Sequence, residues 1–201
     1  MRIGVLASHG GTTLQCVIDA IEAGELAADV VAVVSNNSRS GALERARRHE
    51  IPTAHLSAAT HADPDALDAA ICAVLRSHSA DVVLLAGYMK RLGPEVLAEY
   101  SGRILNTHPS LLPKFGGAGF YGLKVHEAVL AAGETVTGAT VHVVTADYDE
   151  GPIEGQTEVA VLAGDTPEQL QDRVKTAEQR LLVSVLSEWA KRWPRDHQSR
   201  A

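Results

Sequence analysis

The 201-residue sequence has few of the residues on which several classes of protein depend. Its only cysteines, Cys16 and Cys72, form neither a CxxC pair nor a zinc-binding spacing. We therefore expect two reduced, buried thiols in a reducing compartment. Aromatic residues make up only 4% of the chain, which argues against a stacking platform for single-stranded nucleic acid.

Long apolar runs and an excess of positive charge are also missing. No apolar stretch approaches the roughly 18 residues needed to span a bilayer. Met1-Arg2 leads directly into a strand-like run without the layout of a signal peptide. These features predict a cytoplasmic protein with no membrane partner. The net charge of −7 gives no reason to expect a surface that coats nucleic acid.

The composition that is present is that of an ordinary globular domain. Hydrophobic residues make up 45% and charged residues 21%, and this length suits one domain with a sizeable core. We find no internal repeat, low-complexity tract or linker. The sequence predicts a single domain over residues 1–193, with a βαβ half at 1–106 and an active-site half at 107–193, followed by a polar tail at 194–201.

Apolar runs alternate with segments of helical spacing in the first half of the chain. The run DVVLLA at 81–86 has no apolar/polar alternation, which is typical of a strand buried on both faces of a parallel sheet. We predict an α/β fold with three layers, a mostly parallel twisted sheet and a Rossmann-like N-terminal half. The predicted strands are 3–7, 29–34, 51–56, 81–86 and 103–106, and the predicted helices are 12–23, 41–49, 64–78 and 94–100.

The second half has a different character. Residues 107–125 are rich in Pro and Gly, and long irregular loops of this kind are often functional. Thr166 and Pro167 fit the cap and the first position of a final helix that ends near Trp193. The other predicted elements are a helix at 125–132 and an antiparallel pair of strands at 139–145 and 156–162.

A glycine-containing loop, Ser8-His9-Gly10-Gly11-Thr12-Thr13, lies between the first predicted strand and helix. Glycines there let a phosphate approach the backbone, and the helix N-terminus favours an anion. The loop lacks both the GK[ST] of the P-loop and the GxGxxG of dinucleotide-binding folds. Phosphate binding and a simple glycine turn into a capped helix both remain open at this point.

Asn106 and His108 stand where a short predicted strand ends. Being two positions apart, they point to the same side of an extended chain. An Asn amide donates to a developing oxyanion, and His transfers protons near neutral pH. A buried, hydrogen-bonded histidine beside a turn is the competing interpretation.

Three carboxylates, Asp147, Asp149 and Glu150, cluster in the turn between the last two predicted strands. A carboxylate beside His108 is expected to raise the pKa of the imidazole. A solvated acidic turn is the simpler interpretation. The spacing matches neither an EF-hand calcium loop nor a known metal-ligand set such as HExxH.

Taken in order, four segments resemble the glycinamide ribonucleotide transformylases of the folate-dependent formyltransferase family. They are SxGGTTLQ after the first strand, LLAGYMKRL, ILNTHPSLLPKF and TVHVVTADYDEGPI. The resemblance runs from about residue 1 to about residue 182. NxHPSLLP is typical of folate-dependent formyltransferases as a group, whereas the glycine loop and the length favour the ribonucleotide-specific member.

The resemblance implies a role for each matching position. It makes 1–106 the nucleotide-binding half and 107–193 the folate and active-site half. It implies that Leu112-Pro113 is a cis peptide, and it makes the 115–125 loop longer than the commonest version. The implied catalytic residues are Asn106, His108 and Asp149; the phosphate-binding residues are Gly11, Thr12 and Thr13; the ribose-binding residue is Glu178; and the folate-binding residues are Met89, Lys90, Arg91, Leu92 and Asn106.

The resemblance also implies the reaction. The formyl group of 10-formyltetrahydrofolate, a co-substrate, passes directly to the amine of glycinamide ribonucleotide in purine synthesis. Asn106 and protonated His108 stabilise a tetrahedral oxyanion, Asp149 orients His108, and no metal is needed. Small-molecule substrates are the implied partners, with no nucleic acid or membrane, and the protein is a monomer or homodimer.

Related enzymes and a non-catalytic module are the alternatives. Methionyl-tRNA formyltransferase usually carries a further C-terminal domain, and formyltetrahydrofolate hydrolase a further N-terminal one. A sugar formyltransferase would lack the phosphate loop. A nucleotide- or folate-binding module on the same fold is a different class, which fold alone does not exclude.

Overall fold

The computed structural model describes residues 1–147 and 149–193. The predicted polar tail at 194–201 lies outside the described residues. Strands and helices alternate along most of the chain. In order they are β1 Arg2–Ala7, α1 Thr12–Glu22, β2 Asp29–Ser35, α2 Gly41–Arg48, β3 Thr53–His55, α3 Pro64–Ser77, β4 Val82–Leu85, α4 Pro94–Glu99, β5 Ile104–His108, α5 Leu123–Ala131, β6 Val136–Val143, β7 Ile153–Ala160 and α6 Pro167–Arg192.

The seven strands have the order β3-β2-β1-β4-β5-β6-β7. Strand β1 pairs in parallel with β2 and with β4, and β2 pairs in parallel with β3. Strands β6 and β7 are antiparallel. The predicted α/β class with a mostly parallel sheet is therefore confirmed.

The strand boundaries differ from the sequence prediction by up to three residues. Strand β5 was expected over 103–106 but continues to His108, so the polar residues at its end belong to the strand itself. Strands β6 and β7 begin three residues early, at Val136 and Ile153. Their backbone ladder includes small and polar pairs such as Gly138 with Glu158, which an apolar pattern does not mark.

The chain forms two compact units. Of the described residues, the first contains Met1–Leu105 and 186–193. Its interior is built on β1 and β4, because all four residues of β4 and all but the first of β1 are buried. Apolar residues of α1 at spacings of three and four, Leu14, Val17 and Ile18, are buried as well.

The second unit is Asn106–Val185. One cluster of its core joins α5, both strands of the hairpin and α6. Thr166 and Gln169 cap α6 reciprocally, because each side-chain oxygen accepts the backbone N–H of the other residue. The predicted cap and first helical position of this helix are confirmed. The buried core cluster consists of Val129, Ala139, Val159, Leu170 and Val174.

Two sequence expectations, on the cysteines and on membrane-spanning segments, bear on the fold. Both cysteines are free thiols; Cys72 is buried, but Cys16 is only partly buried, so the expectation of two buried thiols is wrong for Cys16. Among the residues that the structure describes, no helix combines the length and the hydropathy that crossing a bilayer requires.

Candidate active site

His108 is the last residue of β5 and is buried. Its Nε2 lies 2.7 Å from the carbonyl oxygen of Phe115. Because a carbonyl oxygen only accepts, Nε2 carries a hydrogen and donates it. The other ring nitrogen, Nδ1, lies 3.5 Å from Oδ2 of Asp149. The structure thus brings together two of the three candidate catalytic residues.

Asp149 is held from several directions. The backbone N–H of Gly117 donates to its Oδ2 at 2.9 Å, and its Oδ1 lies 3.4 Å from Nε2 of His142. Asp149 and Phe115 adopt positive φ angles of 57° and 55°. Such angles are uncommon for residues other than glycine and concentrate at functional sites.

The electrostatics of this pair differ from the sequence expectation. Burial lowers the pKa of His108 and outweighs Asp149, which acts to raise it. The expectation of a raised imidazole pKa is therefore wrong in its net direction. For Asp149, burial acts to raise the pKa, but the polar groups around the carboxylate, among them the N–H of Gly117 and the ring of His108, outweigh it, so the pKa is lowered. Asp149 is ionised at neutral pH.

Asn106 completes the cluster through a residue that the sequence interpretation did not select. Its Nδ2 lies 3.1 Å from Nε2 of His142, and His142 in turn approaches Asp149. His142 is buried in β6 between two valines. A histidine between two valines of a predicted strand was the available signal. The structure joins Asn106, His142, Asp149 and His108 in one chain of polar contacts.

Thr107 lies between the two candidate residues of β5 and, by the alternation of a strand, points to the opposite face. Its hydroxyl donates to Oε1 of Glu178 at 2.9 Å. Burial raises the pKa of Glu178, and the Thr107 hydroxyl and Lys175 oppose that shift. Glu178 is thus a buried carboxylate that accepts a hydrogen bond from Thr107, and its oxygens have the capacity to accept further ones.

The loop after β5 is fixed on the hairpin by side chains. The Thr140 hydroxyl donates to the carbonyl of Ser110 and accepts from the N–H of Leu112. Gln156 donates to both the Thr140 hydroxyl and the Leu112 carbonyl. The Leu112-Pro113 peptide is cis, as the resemblance implies. These contacts hold the backbone that follows His108.

The glycine loop of the first unit is built against helix α2. Gly11 has φ +71°, and a Cβ there would lie 2.6 Å from the Cα of Ala42. The N–H of Ala42 donates to the carbonyl of His9, and Nε of Arg45 donates to the carbonyl of Gly10. Helix α1 then begins at Thr12, with no acidic residue in its first turn. That N-terminus is suited to an anion.

The segment after β4 carries the other residues expected to bind folate. Met89, Lys90 and Arg91 are exposed, whereas Leu92 is buried. The N–H of Met89 donates to the hydroxyl of Ser8 at 2.8 Å. Because β1 and β4 are parallel neighbours, this segment and the glycine loop share one edge of the first unit.

No group of three or more metal-ligating side chains occurs within residues 1–147 and 149–193. The cluster in the second unit offers an amide, two imidazoles and a carboxylate. An amide N–H and an imidazole N–H are donors for a negative oxygen, and an ionised carboxylate accepts a proton. This combination suits acyl transfer.

Comparisons with known proteins identify the family. The family model described as Formyl transferase matches residues 1–186. A phosphoribosylglycinamide formyltransferase of Mycobacterium tuberculosis is 44% identical over 187 residues, covering 92% of this chain and 83% of that protein. The chloroplastic phosphoribosylglycinamide formyltransferase of Arabidopsis thaliana is 41% identical over 186 residues, covering 92% of this chain and 64% of that protein.

A solved structure gives the same result. Glycinamide ribonucleotide transformylase 1 from Symbiobacterium toebii aligns with a TM-score of 0.89 and 40% identity, covering 95% of this chain and 88% of that one. The chain spans less than two thirds of some curated relatives, 64% of the Arabidopsis protein and 59% of the Vigna unguiculata protein. The family match nevertheless extends over most of the sequence and includes every candidate site residue. The chain therefore belongs to the formyl transferase family.

Proposed function

We propose that this chain transfers the formyl group of 10-formyltetrahydrofolate to the amine of glycinamide ribonucleotide. The products are N-formylglycinamide ribonucleotide and tetrahydrofolate, in the de novo synthesis of purines. The observation that supports this most strongly is the buried contact of His108 with Asp149, continued through His142 to Asn106. An amide, an imidazole and a carboxylate so joined are the groups that direct acyl transfer requires.

In the proposed reaction the amine nitrogen attacks the formyl carbon. A new C–N bond forms, and the π electrons of the carbonyl move to its oxygen, giving a tetrahedral oxyanion. When that intermediate collapses, the electron pair re-forms the carbonyl, the bond to N10 of the folate breaks, and a proton lost by the amine reaches N10. The enzyme must stabilise the oxyanion and move that proton.

Asn106 and His108 supply the donors for the oxyanion. Each such donor contributes roughly 2.7–4 kcal/mol to lowering a barrier of this kind. Nε2 of His108 donates its hydrogen to the carbonyl of Phe115. In the proposed reaction, the oxyanion replaces this carbonyl as the acceptor of that hydrogen bond. Because the pKa of His108 is lowered, the ring acts as a neutral donor until negative charge develops beside it.

Asp149 is the proton acceptor in this scheme. Its lowered pKa keeps it ionised at neutral pH, so it accepts a hydrogen bond or a proton from the attacking amine. Its contact with Nδ1 of His108 also orients the ring. We assign to it the relay of the proton toward N10, directly or through water.

The remaining positions are assigned to binding. Gly11, Thr12 and Thr13 hold the ribonucleotide phosphate at the N-terminus of α1, and Glu178 accepts hydrogen bonds from the ribose. The folate is bound by Asn106 and by the segment 89–92, in which Met89, Lys90 and Arg91 are exposed. In a single domain, the half 1–106 then carries the phosphate loop and the segment 89–92, and the half 107–193 carries His108, Asp149 and Glu178.

The partners and the compartment follow from the same proposal. The two small-molecule substrates are the partners, with no nucleic acid and no membrane, as the acidic composition favours. The protein acts in the cytoplasm as a monomer or a homodimer.

The proposal is tested by an absorbance assay of the folate. Purified protein is mixed with 10-formyltetrahydrofolate, with and without glycinamide ribonucleotide, and loss of the formyl group is followed. We expect loss only when the ribonucleotide is present. Loss in both tubes would indicate a hydrolase, and loss in neither would indicate another acceptor or a binding protein.

A further inference from the structure

His142 is buried on β6 and makes three polar contacts with residues that the structure describes, each within the second unit. Its Nδ1 lies 3.1 Å from the carbonyl oxygen of Val143. Its Nε2 lies 3.1 Å from Nδ2 of Asn106 and 3.4 Å from Oδ1 of Asp149. No substrate-binding or catalytic role has been assigned to it above.

The contact with Val143 fixes the tautomer. A backbone carbonyl accepts hydrogen bonds and cannot donate, so the Nδ1 of His142 must carry a hydrogen. A neutral imidazole has only one such hydrogen. In the neutral ring, Nε2 therefore carries a lone pair, and this lone pair faces Asn106.

The distances favour this neutral ring over a charged one. The Asn106 nitrogen is the nearer neighbour, and a donor nitrogen does not face another donor. The 3.4 Å separation from Asp149 exceeds the usual range of about 2.7–3.2 Å for N–H···O hydrogen bonds.

We infer that His142 is a positioning residue that fixes which end of the Asn106 amide is presented to the reaction, by accepting one N–H of that amide on Nε2. A neutral ring with its hydrogen on Nδ1 accepts only from the NH2 end. The amide oxygen of Asn106 then cannot take the position of the nitrogen beside His142. Asn106 therefore offers its second N–H to the carbonyl that becomes an oxyanion. If the ring carried a hydrogen on Nε2, the amide would turn and present its oxygen to His142.

The kinetic part of this inference rests on the proposed function, but the tautomer does not. It is read from the wild-type chain, without any assay of activity. Protein labelled with ¹⁵N-histidine gives separate signals for protonated and unprotonated ring nitrogens, and long-range proton–nitrogen correlations show which nitrogen is which. Comparison with His142→Gln assigns the signals of this ring. We expect Nδ1 protonated and Nε2 unprotonated at neutral pH.

A charged ring, or a hydrogen on Nε2, would overturn the inference even if the protein proved to be an active transferase. Conversely, the expected tautomer in a chain without transferase activity would leave the geometry intact and reject only the proposed function. The two failures are therefore distinguishable.

A double-mutant comparison measures the link to Asn106. His142→Phe keeps a ring but removes the acceptor, and we expect kcat to fall roughly 10- to 100-fold, with less than about a 3-fold change in either KM. His142→Gln, whose side-chain oxygen can accept, is expected to recover most of that loss. Because His142 acts through Asn106, the pair Asn106→Ala and His142→Phe should be no slower than Asn106→Ala alone.

Thr137→Val provides the matched control. Thr137 is a buried residue of the same strand, and its hydroxyl has no hydrogen-bond partner among the described residues, so kcat should be unchanged. The positioning role would be contradicted if the two losses of kcat multiplied in the double variant, or if kcat were unaffected in His142→Phe. Should His142→Phe fail to fold, the tautomer measurement still decides the matter.

Discussion

At the scale of single residues, Gly11 has a packing requirement that its sequence context did not reveal. Glycines in such loops are expected to allow close approach of a phosphate. In the structure, a Cβ at Gly11 would lie 2.6 Å from the backbone of Ala42, and the residue has φ +71°. The glycine is therefore needed to pack the loop against α2, whether or not a phosphate is bound.

Gly11→Ala is accordingly expected to destabilise the protein. Overpacking against backbone and the positive φ together should cost on the order of 2 kcal/mol or more. Chemical denaturation of the variant beside wild type measures this cost. Gly10→Ala is the control, since nothing lies within 4 Å of a Cβ at Gly10. Equal stabilities of the two variants would contradict the packing argument.

Thr13 gives a cleaner test of phosphate binding than either glycine. Thr13→Val keeps the shape and β-branching of the side chain and removes only its hydroxyl. If that hydroxyl donates to the phosphate, KM for the ribonucleotide should rise roughly tenfold, as expected for a hydrogen bond to a charged group. Steady-state kinetics with each substrate varied in turn checks this.

The KM for the folate should not change in the same variant. The matched control is Thr176→Val, because Thr176 is an exposed residue whose hydroxyl donates to the carbonyl of Asp172 within α6. A similar rise in both KM values, or no rise in either, would remove Thr13 from the phosphate site.

The candidate cluster was only partly predictable from residue types. Asn106 and His108 stood out because polar groups at a strand end are unusual, whereas the acidic turn offered three carboxylates and only the family resemblance selected Asp149. His142 did not stand out, since a histidine between two valines of a strand is more often a structural residue. The direction of the His108 pKa was also missed, because a neighbouring carboxylate is visible in sequence whereas the burial that outweighs it is not.

At the scale of elements, α5 contains an ionisable residue in its buried face. His126 is almost fully buried, and its Nδ1 has no hydrogen-bond partner among the described residues. Burial, and to a lesser extent the charge of His108, lowers the pKa of His126 to about 4. An unfolded chain has a histidine pKa near 6.5.

This difference predicts a pH dependence of stability. Below pH 6.5 the unfolded state binds a proton at His126 that the folded state does not bind. The contribution of His126 to the free energy of unfolding is therefore fully present above pH 6.5 and is lost as the pH is lowered toward 4. A shift of about 2.5 units corresponds to about 3 kcal/mol for this residue. His108 and Asp149 shift in the same direction and add to the acid sensitivity.

The contribution of His126 is isolated by His126→Leu. Urea denaturation of both proteins at pH 7 and at pH 4.5 gives two differences in the free energy of unfolding. We expect the free energy of unfolding that is lost between pH 7 and pH 4.5 to be about 2–3 kcal/mol smaller in the variant than in the wild type. Parallel losses in the two proteins would show that α5 does not contribute to the acid sensitivity.

The existence of each element was predictable, whereas its ends were less so. Helices α1, α3 and α6 begin where their Thr, Pro or capping residues indicated, because those signals are local. The extension of β5 to His108 was missed, since polar residues in a strand carry no apolar pattern. The early start of β6 and β7 was missed because partners across a hairpin decide it.

At the scale of the whole molecule, the alternation of strands and helices was enough to predict the α/β class. That alternation constrains the chain to parallel pairing, and β1, β2, β3 and β4 pair in this way. The family followed from four short segments in order, and its model matches residues 1–186. Which side chains meet could not be read from the sequence, because the contacts of Asp149 with His108 and with Gly117 join residues more than 30 positions apart.

The central claim is direct transfer of a formyl group to an amine by the Asn106, His108 and Asp149 cluster. The most direct measurement follows the carbon itself, by NMR, from 10-[¹³C]formyltetrahydrofolate in the presence of glycinamide ribonucleotide. The account predicts that the label appears as the formamide of the ribonucleotide, and that Asp149→Asn slows its appearance at least 100-fold while the protein stays folded and binds the ribonucleotide. Label that appears as free formate, or an Asp149→Asn variant of near-normal rate, would contradict it.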